Sequence, residues 1–192
     1  IFASNHPLGA LDGVALIRFF GHFYSGKIKF LVNDLLMHIK PLAPVFLPIN
    51  KYGSQAKESS LQINNAYESD EQMLIFPAGL CSRLQHGKIK DLEWKKTFIA
   101  KSVQSQRDII PIYFEGRNST FFYRFAQIRK CIGLKFNIEL IYLPDEMFNS
   151  KNKTFDIYID KPIPWQTFDK SKSLQEWAQI VKEKVYQTKK NQ

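Results

Sequence analysis

The sequence predicts an α/β fold in which a largely parallel central sheet is flanked by helices. Two observations lead to this prediction. Short apolar runs of strand length alternate with helix-length segments along the chain, which is typical of βαβ units. The 192 residues are 44% hydrophobic and include 16 Phe, enough to bury a substantial core. We find no repeat, low-complexity tract or linker, so residues 1–192 are interpreted as a single domain.

Each element has a local reason. The strands are apolar runs bounded by turn residues, predicted at residues 1–4, 28–32, 44–49, 73–76, 109–114 and 155–159. The helices are predicted at residues 12–23, 34–38, 55–67, 94–105 and 119–132, with a final one after Ser173. Residues 12–23 are apolar nearly all round, so this helix is expected to be mostly buried.

Two helices carry clear terminal signals. Ser119 is a predicted N-cap, and Gly133 follows the same helix as a predicted C′ glycine. Ser173 and Glu176 form a predicted capping box before the final helix. These residues satisfy backbone groups that the helix itself leaves unpaired.

The net charge and the cysteine content limit which partners and which cellular setting are expected. The net charge of +9 and the isoelectric point near 9.5 suggest an anionic partner, namely a nucleic acid, an acidic membrane surface or an acidic carrier. An ordinary solvated lysine-rich surface would give the same composition. Cys81 and Cys131 lack metal-ligand spacing and are expected to be free thiols in a reducing setting. Because the chain begins inside an apolar run, we expect it to be an N-terminally truncated fragment.

The first chemical motif is Asn5-His6-Pro7-Leu8-Gly9-Ala10-Leu11-Asp12, which follows the first strand. Such strand ends are where α/β proteins build sites. His6 is a predicted general base, and Asp12 would hold its ring in one tautomer, as in a serine-protease triad with the acceptor substrate replacing the serine. A turn-capping histidine followed by a helix-capping aspartate is the structural alternative.

The second motif runs from Leu74 to Arg83. A buried strand enters the turn Pro77-Ala78-Gly79, which displays Ser82 and Arg83. The planar fork of an arginine suits a phosphate or carboxylate, and a serine adds a hydroxyl donor. A β-turn with an exposed arginine is the alternative interpretation.

Together these motifs resemble those of the glycerolipid acyltransferase superfamily, the PlsC-like lysophospholipid acyltransferases, and within it the bacterial hemolysin-like branch. The family's Asn-His-x4-Asp motif corresponds to Asn5, His6 and Asp12, and its Phe-Pro-Glu-Gly-x-Arg-Ser motif to residues 76–83. An apolar strand carrying a proline matches residues 109–114, and the family's basic strand end falls at Lys51. The resemblance covers essentially the whole chain and implies a mixed, largely parallel sheet.

Three departures from the family pattern are visible. Five residues instead of four separate His6 from Asp12, Ala78 replaces the family glutamate, and Arg83 follows Ser82 in reversed order. An acceptor without a glycerol phosphate, such as a lyso-aminolipid, therefore becomes plausible.

The resemblance implies O-acyl transfer from acyl-coenzyme A or acyl carrier protein to a lysolipid hydroxyl, in membrane lipid biosynthesis. His6 and Asp12 would be catalytic, with no metal or other cofactor. The acceptor would contact Asn5, Lys51, Gly79, Ser82, Arg83 and Arg117, with backbone N–H groups near Gly79 as oxyanion donors. Arg117 is otherwise a loop arginine paired with Glu115. We expect a peripheral protein on the cytoplasmic face of the bacterial inner membrane.

Residues 117–135 contain five basic and no acidic residues, interleaved with aromatic side chains. The apolar positions Phe121, Phe122, Phe125, Ile128 and Ile132 share one helix face. A basic amphipathic helix of this kind suits an anionic membrane surface, and a core-facing helix with a basic outer face would have the same sequence.

Three other functions compete with acyl transfer. A hydrolase would use the same His-Asp pair on water, and an inactive relative would bind lipid without chemistry. A nucleic-acid binder would use the positive charge and the interleaved aromatic residues. We do not expect a nucleic acid as a partner, because the basic residues are dispersed along the chain. Nucleic-acid binding would also leave the pair of His6 and Asp12 unexplained.

Overall fold

A computed structural model describes residues 1–32, 37, 39–49, 55–134 and 136–189. In this part of the chain there are eight strands: β1 (Phe2–Ser4), β2 (Ile28–Val32), β3 (Phe46–Pro48), β4 (Gln72–Ile75), β5 (Arg83–Gln85), β6 (Lys88–Lys90), β7 (Ile110–Phe114) and β8 (Ile157–Ile159). Six of them form the main sheet, in the order β3-β2-β4-β1-β7-β8. All neighbours are parallel except β7 and β8. The prediction of a mixed, largely parallel sheet is confirmed.

The described residues also form six α-helices: α1 (Leu11–Phe23), α2 (Gln55–Glu68), α3 (Thr97–Ser105), α4 (Thr120–Cys131), α5 (Leu143–Phe148) and α6 (Leu174–Thr188). The core has two large apolar clusters. One contains Trp94, Ile99 and Val181 with residues of α2, α3 and α6. The other contains Phe2, Leu16 and Phe114 with residues of α1. Helices therefore cover both apolar clusters of the sheet, as is typical of parallel sheets, whose two faces are buried.

The helix ends predicted from the sequence are confirmed. The Ser119 side chain accepts from Phe122 N–H, and Ser173 with Glu176 forms the reciprocal capping box. Gly133 has φ +77°, and the Leu134 N–H donates to the Arg129 carbonyl. That bond, with a second from the Gly133 N–H to Lys130, closes α4 in a Schellman motif.

Several predictions of element extent need correction. Residues 40–45 form a 3₁₀ helix, so the strand predicted from residue 44 begins at Phe46, because two prolines at 41 and 44 favour the tighter turn. The predicted helix at 34–38 lies outside the described residues except for residue 37. A hairpin of β5 (Arg83–Gln85) and β6 (Lys88–Lys90) was not predicted, and neither were the 3₁₀ helix Ile138–Tyr142 and α5.

Helix α1 is not mostly buried as predicted. Leu16, Ile17 and Phe20 face the sheet, while Phe19 and Phe23 are 37% and 66% exposed. Only one face of a helix can pack against a sheet surface, so an apolar composition on the other face did not produce burial.

Candidate active site

The candidate active site lies at the carboxyl edge of the sheet. Strand β1 has β4 on one side and β7 on the other. His6 follows β1, and Phe76 follows β4. Because the three strands are parallel, these chain exits meet at one edge, where α/β proteins bind ligands.

The turn between His6 and Asp12 brings the two side chains together. His6 Nδ1 lies 3.0 Å from Asp12 Oδ2. The same oxygen accepts from the N–H groups of Leu8 and Gly9 at 2.9 and 3.3 Å, and Oδ1 accepts from Gly13 N–H at 2.9 Å. The Asp12 side chain is fully buried, and its oxygens are held by the turn that carries His6.

Five intervening residues, rather than four, fit this geometry because the turn contains a left-handed residue. Gly9 has φ +83°, which favours glycine. A Cβ at this position would lie 2.9 Å from both methyl carbons of Leu143. The turn is therefore packed directly beneath the start of α5.

Aromatic packing fixes the other side of the imidazole. The His6 ring stacks on Phe76, with ring centroids 3.8 Å apart and 17° between the planes. The His6 side chain is 13% exposed, and Nε2 has no hydrogen-bond partner among the described residues. With Nδ1 donating to Asp12, Nε2 is the nitrogen that is available as a proton acceptor.

The backbone of His6 is also held, through residues 82–91. Ser82 N–H donates to the His6 carbonyl at 2.7 Å. His6 N–H donates to Asp91 Oδ1 at 3.2 Å, and the Ser82 hydroxyl donates to the same oxygen at 2.6 Å. Burial raises the pKa of Asp91, against the hydrogen bonds from Ser82 and Trp94 that lower it. Ser82, predicted to bind substrate, thus lies beside His6 with its hydroxyl engaged by Asp91.

Arg83, the predicted anion clamp, is engaged within the protein. Its guanidinium donates to the Cys81 carbonyl at 3.1 Å and to Glu139 Oε1 at 2.9 Å. Glu139 is fully buried, and its second oxygen lies 2.8 Å from Arg129 Nε. Glu139 is thus shared by two arginines, and the Arg83 guanidinium makes its contacts within the protein, so it is not a free anion-binding fork.

Asn5 is likewise engaged at both polar atoms of its amide. It donates to the Phe114 carbonyl at 3.0 Å and accepts from the Phe114 N–H at 2.7 Å. Through these side-chain bonds Asn5, the first residue after β1, stays attached to the last residue of β7. Asn5 therefore fixes the strand end that carries His6.

Gly79, a further predicted residue, lies in the turn that follows Phe76. The Gly79 N–H donates to the Phe76 carbonyl at 2.9 Å, so this particular N–H is used within its turn. A Cβ at Gly79 would lie 2.8 Å from Lys95 Nζ, which is a lysine that the sequence analysis did not single out. Lys51 lies outside the described residues.

Arg117 lies on a neighbouring cleft of about 680 Å³, formed by the N-terminus of α4 and by α5. Its guanidinium is 3.4 Å from the Thr120 hydroxyl, while Glu115 pairs with Lys189 instead. Asn118, next in the chain, approaches the carbonyls of Pro7 and Leu8 at 3.4 Å. The cleft therefore adjoins the turn between His6 and Asp12 without including His6.

Sequence reasoning missed Phe76, Asp91 and Glu139 as partners of the site. Glu139 is 56 residues from Arg83, and Asp91 is 85 residues from His6. One of these partners had a local signal in the sequence: Phe76 stands at the end of a buried strand, where a side chain can reach a site at the edge of the sheet.

Comparisons with known proteins show the family of this chain. A family model described as Acyltransferase matches residues 1–192. The chain belongs to the acyltransferase family. No group of side chains able to hold a metal ion occurs among the described residues.

Two curated relatives carry the name lyso-glycine lipid O-acyltransferase. The protein of Bacteroides thetaiotaomicron is 58% identical over 185 residues, covering 96% of this chain and 68% of the relative. That of Phocaeicola vulgatus is 56% identical, covering 96% of this chain and 66% of the relative. The chain thus spans about two thirds of the length of these relatives.

A solved structure is similar in fold. It is the 1-acyl-sn-glycerophosphate acyltransferase PlsC from Thermotoga maritima, with a TM-score of 0.55 and 16% sequence identity. The match covers 98% of this chain and 65% of that one. This likeness confirms the predicted PlsC-like fold.

Proposed function

We propose that this protein transfers a fatty acyl group from an acyl-thioester to the hydroxyl of a lyso-aminolipid, with a lyso-glycine lipid as the acceptor. The observation that carries the proposal is the 3.0 Å contact between His6 Nδ1 and buried Asp12, which leaves Nε2 free. The names of the two curated relatives support the acceptor.

In the proposed reaction, His6 Nε2 takes the proton of the acceptor hydroxyl as its oxygen attacks the thioester carbonyl. Asp12 stabilises the imidazolium that results. When the tetrahedral intermediate collapses, the carbon–sulfur bond breaks and the imidazolium returns the proton to the leaving thiolate. General-base catalysis of this kind contributes about 10²–10⁴-fold. The N–H groups of Leu80 and Cys81, which make no hydrogen bond to the described residues, are the proposed oxyanion donors.

The Arg83–Glu139 contact supports an acceptor without a phosphate group. A free arginine fork would favour a phosphate, but this guanidinium already faces a buried carboxylate at 2.9 Å. We therefore expect lysophosphatidate to be a poorer acceptor than a lyso-aminolipid. Gly79, Lys51 and Arg117 remain proposed acceptor contacts.

A direct test incubates the protein with a labelled acyl-thioester, as coenzyme A and carrier-protein conjugates in parallel, and a panel of lysolipids. Mass spectrometry would detect the acylated lipid. His6→Ala should abolish transfer while circular dichroism shows an unchanged fold, and His22→Ala, an exposed histidine on α1, should behave as wild type. Transfer by His6→Ala would overturn the assignment, and free fatty acid without acylated lipid would favour the hydrolase alternative.

We also propose that the protein docks on an anionic membrane, on the cytoplasmic face where acyl-thioesters are present. Helix α4 buries Phe122, Tyr123 and Ala126 but leaves a second apolar stripe in solvent. The exposed fractions from this stripe through α5 are Phe121 54%, Ile128 58%, Ile132 66%, Phe136 81%, Ile141 76% and Phe148 73%. Exposed apolar surface of this extent marks an interaction site.

Charge favours a lipid surface as the partner. Arg124 and Lys130 are exposed on α4, and basic residues near anionic lipids each contribute about 1 kcal/mol. No helix among the described residues is long and apolar enough to cross a bilayer. The exposed apolar surface of α4 and α5 also lies close to the candidate active site, because Leu143 of α5 packs against Gly9 in the turn between His6 and Asp12.

Vesicle flotation tests the docking proposal. The protein should float with phosphatidylglycerol vesicles, and less with phosphatidylcholine or at high salt. The double variant Ile128→Ser/Ile132→Ser should lose flotation, whereas Leu61→Ser, at a 60% exposed position on α2, should not. Equal flotation of both variants would exclude this face.

A further inference from the structure

We infer that Asp91 is a positioning residue, which holds the backbone of His6 so that its imidazole faces the acceptor hydroxyl. The inference deepens the proposed function and rests on it for the identity of the reaction. The geometric part, which is the orientation of the His6 ring, can be tested without any activity.

A closed set of three hydrogen bonds carries the argument. His6 N–H donates to Asp91 Oδ1, the Ser82 hydroxyl donates to the same oxygen, and Ser82 N–H donates to the His6 carbonyl. We call this set the Ser82–Asp91 clamp. Both backbone polar groups of His6 are satisfied by it. The backbone at residue 6 cannot rotate without breaking at least one of these buried bonds.

Asp91 is itself fixed from other directions. Its second oxygen accepts from Trp94 Nε1–H at 2.9 Å. Its backbone N–H donates to the Tyr186 hydroxyl at 2.8 Å, and its carbonyl accepts from Lys182 Nζ at 2.9 Å. Tyr186 and Lys182 both belong to α6. The clamp therefore ties the catalytic turn to the last helix of the fold.

The geometry of the ring depends on this backbone. Asp12 holds only Nδ1, and Phe76 contacts only one face of the imidazole. A shift of the residue 6 backbone would move Nε2 even if both contacts partly persisted. Because a misplacement of about 1 Å can cost about 10²-fold in rate, Asp91 acts on kcat through His6.

The clamp gives two variants and a matched control. Asp91→Ala removes the acceptor for His6 N–H, Ser82 and Trp94 together. Asp91→Leu also removes both oxygens but fills the side-chain volume, and it is the second variant if the alanine variant does not fold. Trp94→Phe removes one donor from the opposite oxygen and perturbs the core, yet leaves the His6 contact in place.

Activity and ring geometry are then measured for each variant. We expect Asp91→Ala and Asp91→Leu to lower kcat for lyso-glycine lipid by about 10–100-fold with KM changed less than threefold. Trp94→Phe should be destabilised but keep kcat within threefold of wild type. In ¹³C-edited NMR, the His6 ring protons should lose the upfield shift from the Phe76 ring in the Asp91 variants only.

The failures are distinguishable. An unchanged His6 signal and kcat in the Asp91 variants would overturn the inference while leaving acyl transfer intact. An equal kcat loss in Trp94→Phe would also overturn it, since the effect would then follow stability. If the wild type transfers no acyl group, the proposed function fails, and the NMR comparison alone decides the positioning of His6.

Discussion

Replacement of Asp12 by asparagine separates the two roles that the buried carboxylate combines. The amide oxygen should occupy the position of Oδ2, because three donors converge there, from His6, Leu8 and Gly9. In the reverse orientation the amide nitrogen, which is itself a donor, would face these three donors and could accept from none of them. His6 therefore keeps its tautomer, and what is lost is the negative charge and the hydrogen bond from Gly13 N–H.

The effect on rate follows from the distance. An imidazolium and a carboxylate 3.0 Å apart interact by about 5 kcal/mol at an effective dielectric constant of 20. The amide dipole retains part of this energy, so we expect a loss of about 3–4 kcal/mol in the transition state. At about 1.4 kcal/mol per factor of ten, kcat should fall about 10²–10³-fold.

The effect on stability is smaller and separately measurable. A lost charge-assisted hydrogen bond costs about 1.5–3 kcal/mol, which should lower Tm by roughly 3–12 °C for a domain of this size. Thermal unfolding by circular dichroism measures this shift, and the lysolipid assay at 25 °C measures kcat. If folded Asp12→Asn retains kcat within fivefold of wild type, Asp12 does not stabilise the imidazolium and the reasoning is wrong.

Three further predictions concern packing, charge and thiol reactivity. Gly9→Ala should cost about 1–3 kcal/mol from its positive φ and more from the leucine methyls 2.9 Å from the new Cβ. Gly26→Ala, with φ +79° in open space, should show the φ cost alone, and equal losses of Tm would refute the clash. Glu139→Gln, which leaves Arg83 and Arg129, each 12% exposed, without the buried carboxylate that they share, should cost about 3–5 kcal/mol in urea unfolding, and a loss under 1 kcal/mol would contradict it. Burial raises the pKa of the Cys81 thiol to about 11, so iodoacetamide at pH 8 should alkylate exposed Cys131 alone. Peptide mass mapping would show this, and equal labelling of Cys81 would contradict its burial.

Local chemistry explains which parts of the fold were predictable. The capping residues Ser119, Gly133 and Ser173 act on backbone groups within a few residues, so their patterns predict helix ends correctly. The turn of the β5–β6 hairpin is formed by His86 and Gly87, both at positive φ. The sequence did not predict this hairpin because its two strands are short and half-exposed. Their alternation is too brief to be distinctive.

Burial was less predictable than secondary structure. The apolar stripe of Phe121, Ile128 and Ile132 suits a core as well as a membrane, and only the packed structure showed that Phe122 and Tyr123 take the core positions. Likewise, α1 has apolar residues on both faces, and the sheet covers one of them.

The sequence by itself predicted that His6 and Asp12 lie close together, because only a tight turn of five residues separates the two, between a strand and a helix, and the structure decided for their pairing over a pair of separate capping residues. The sequence also determined the alternating α/β order, since each strand and helix carries its own pattern. The tertiary structure alone decided the partners of these motifs. Asp91 holds His6 across 85 residues, and Glu139 holds Arg83 across 56. Such contacts depend on how the sheet and helices pack, which no local pattern of residues encodes.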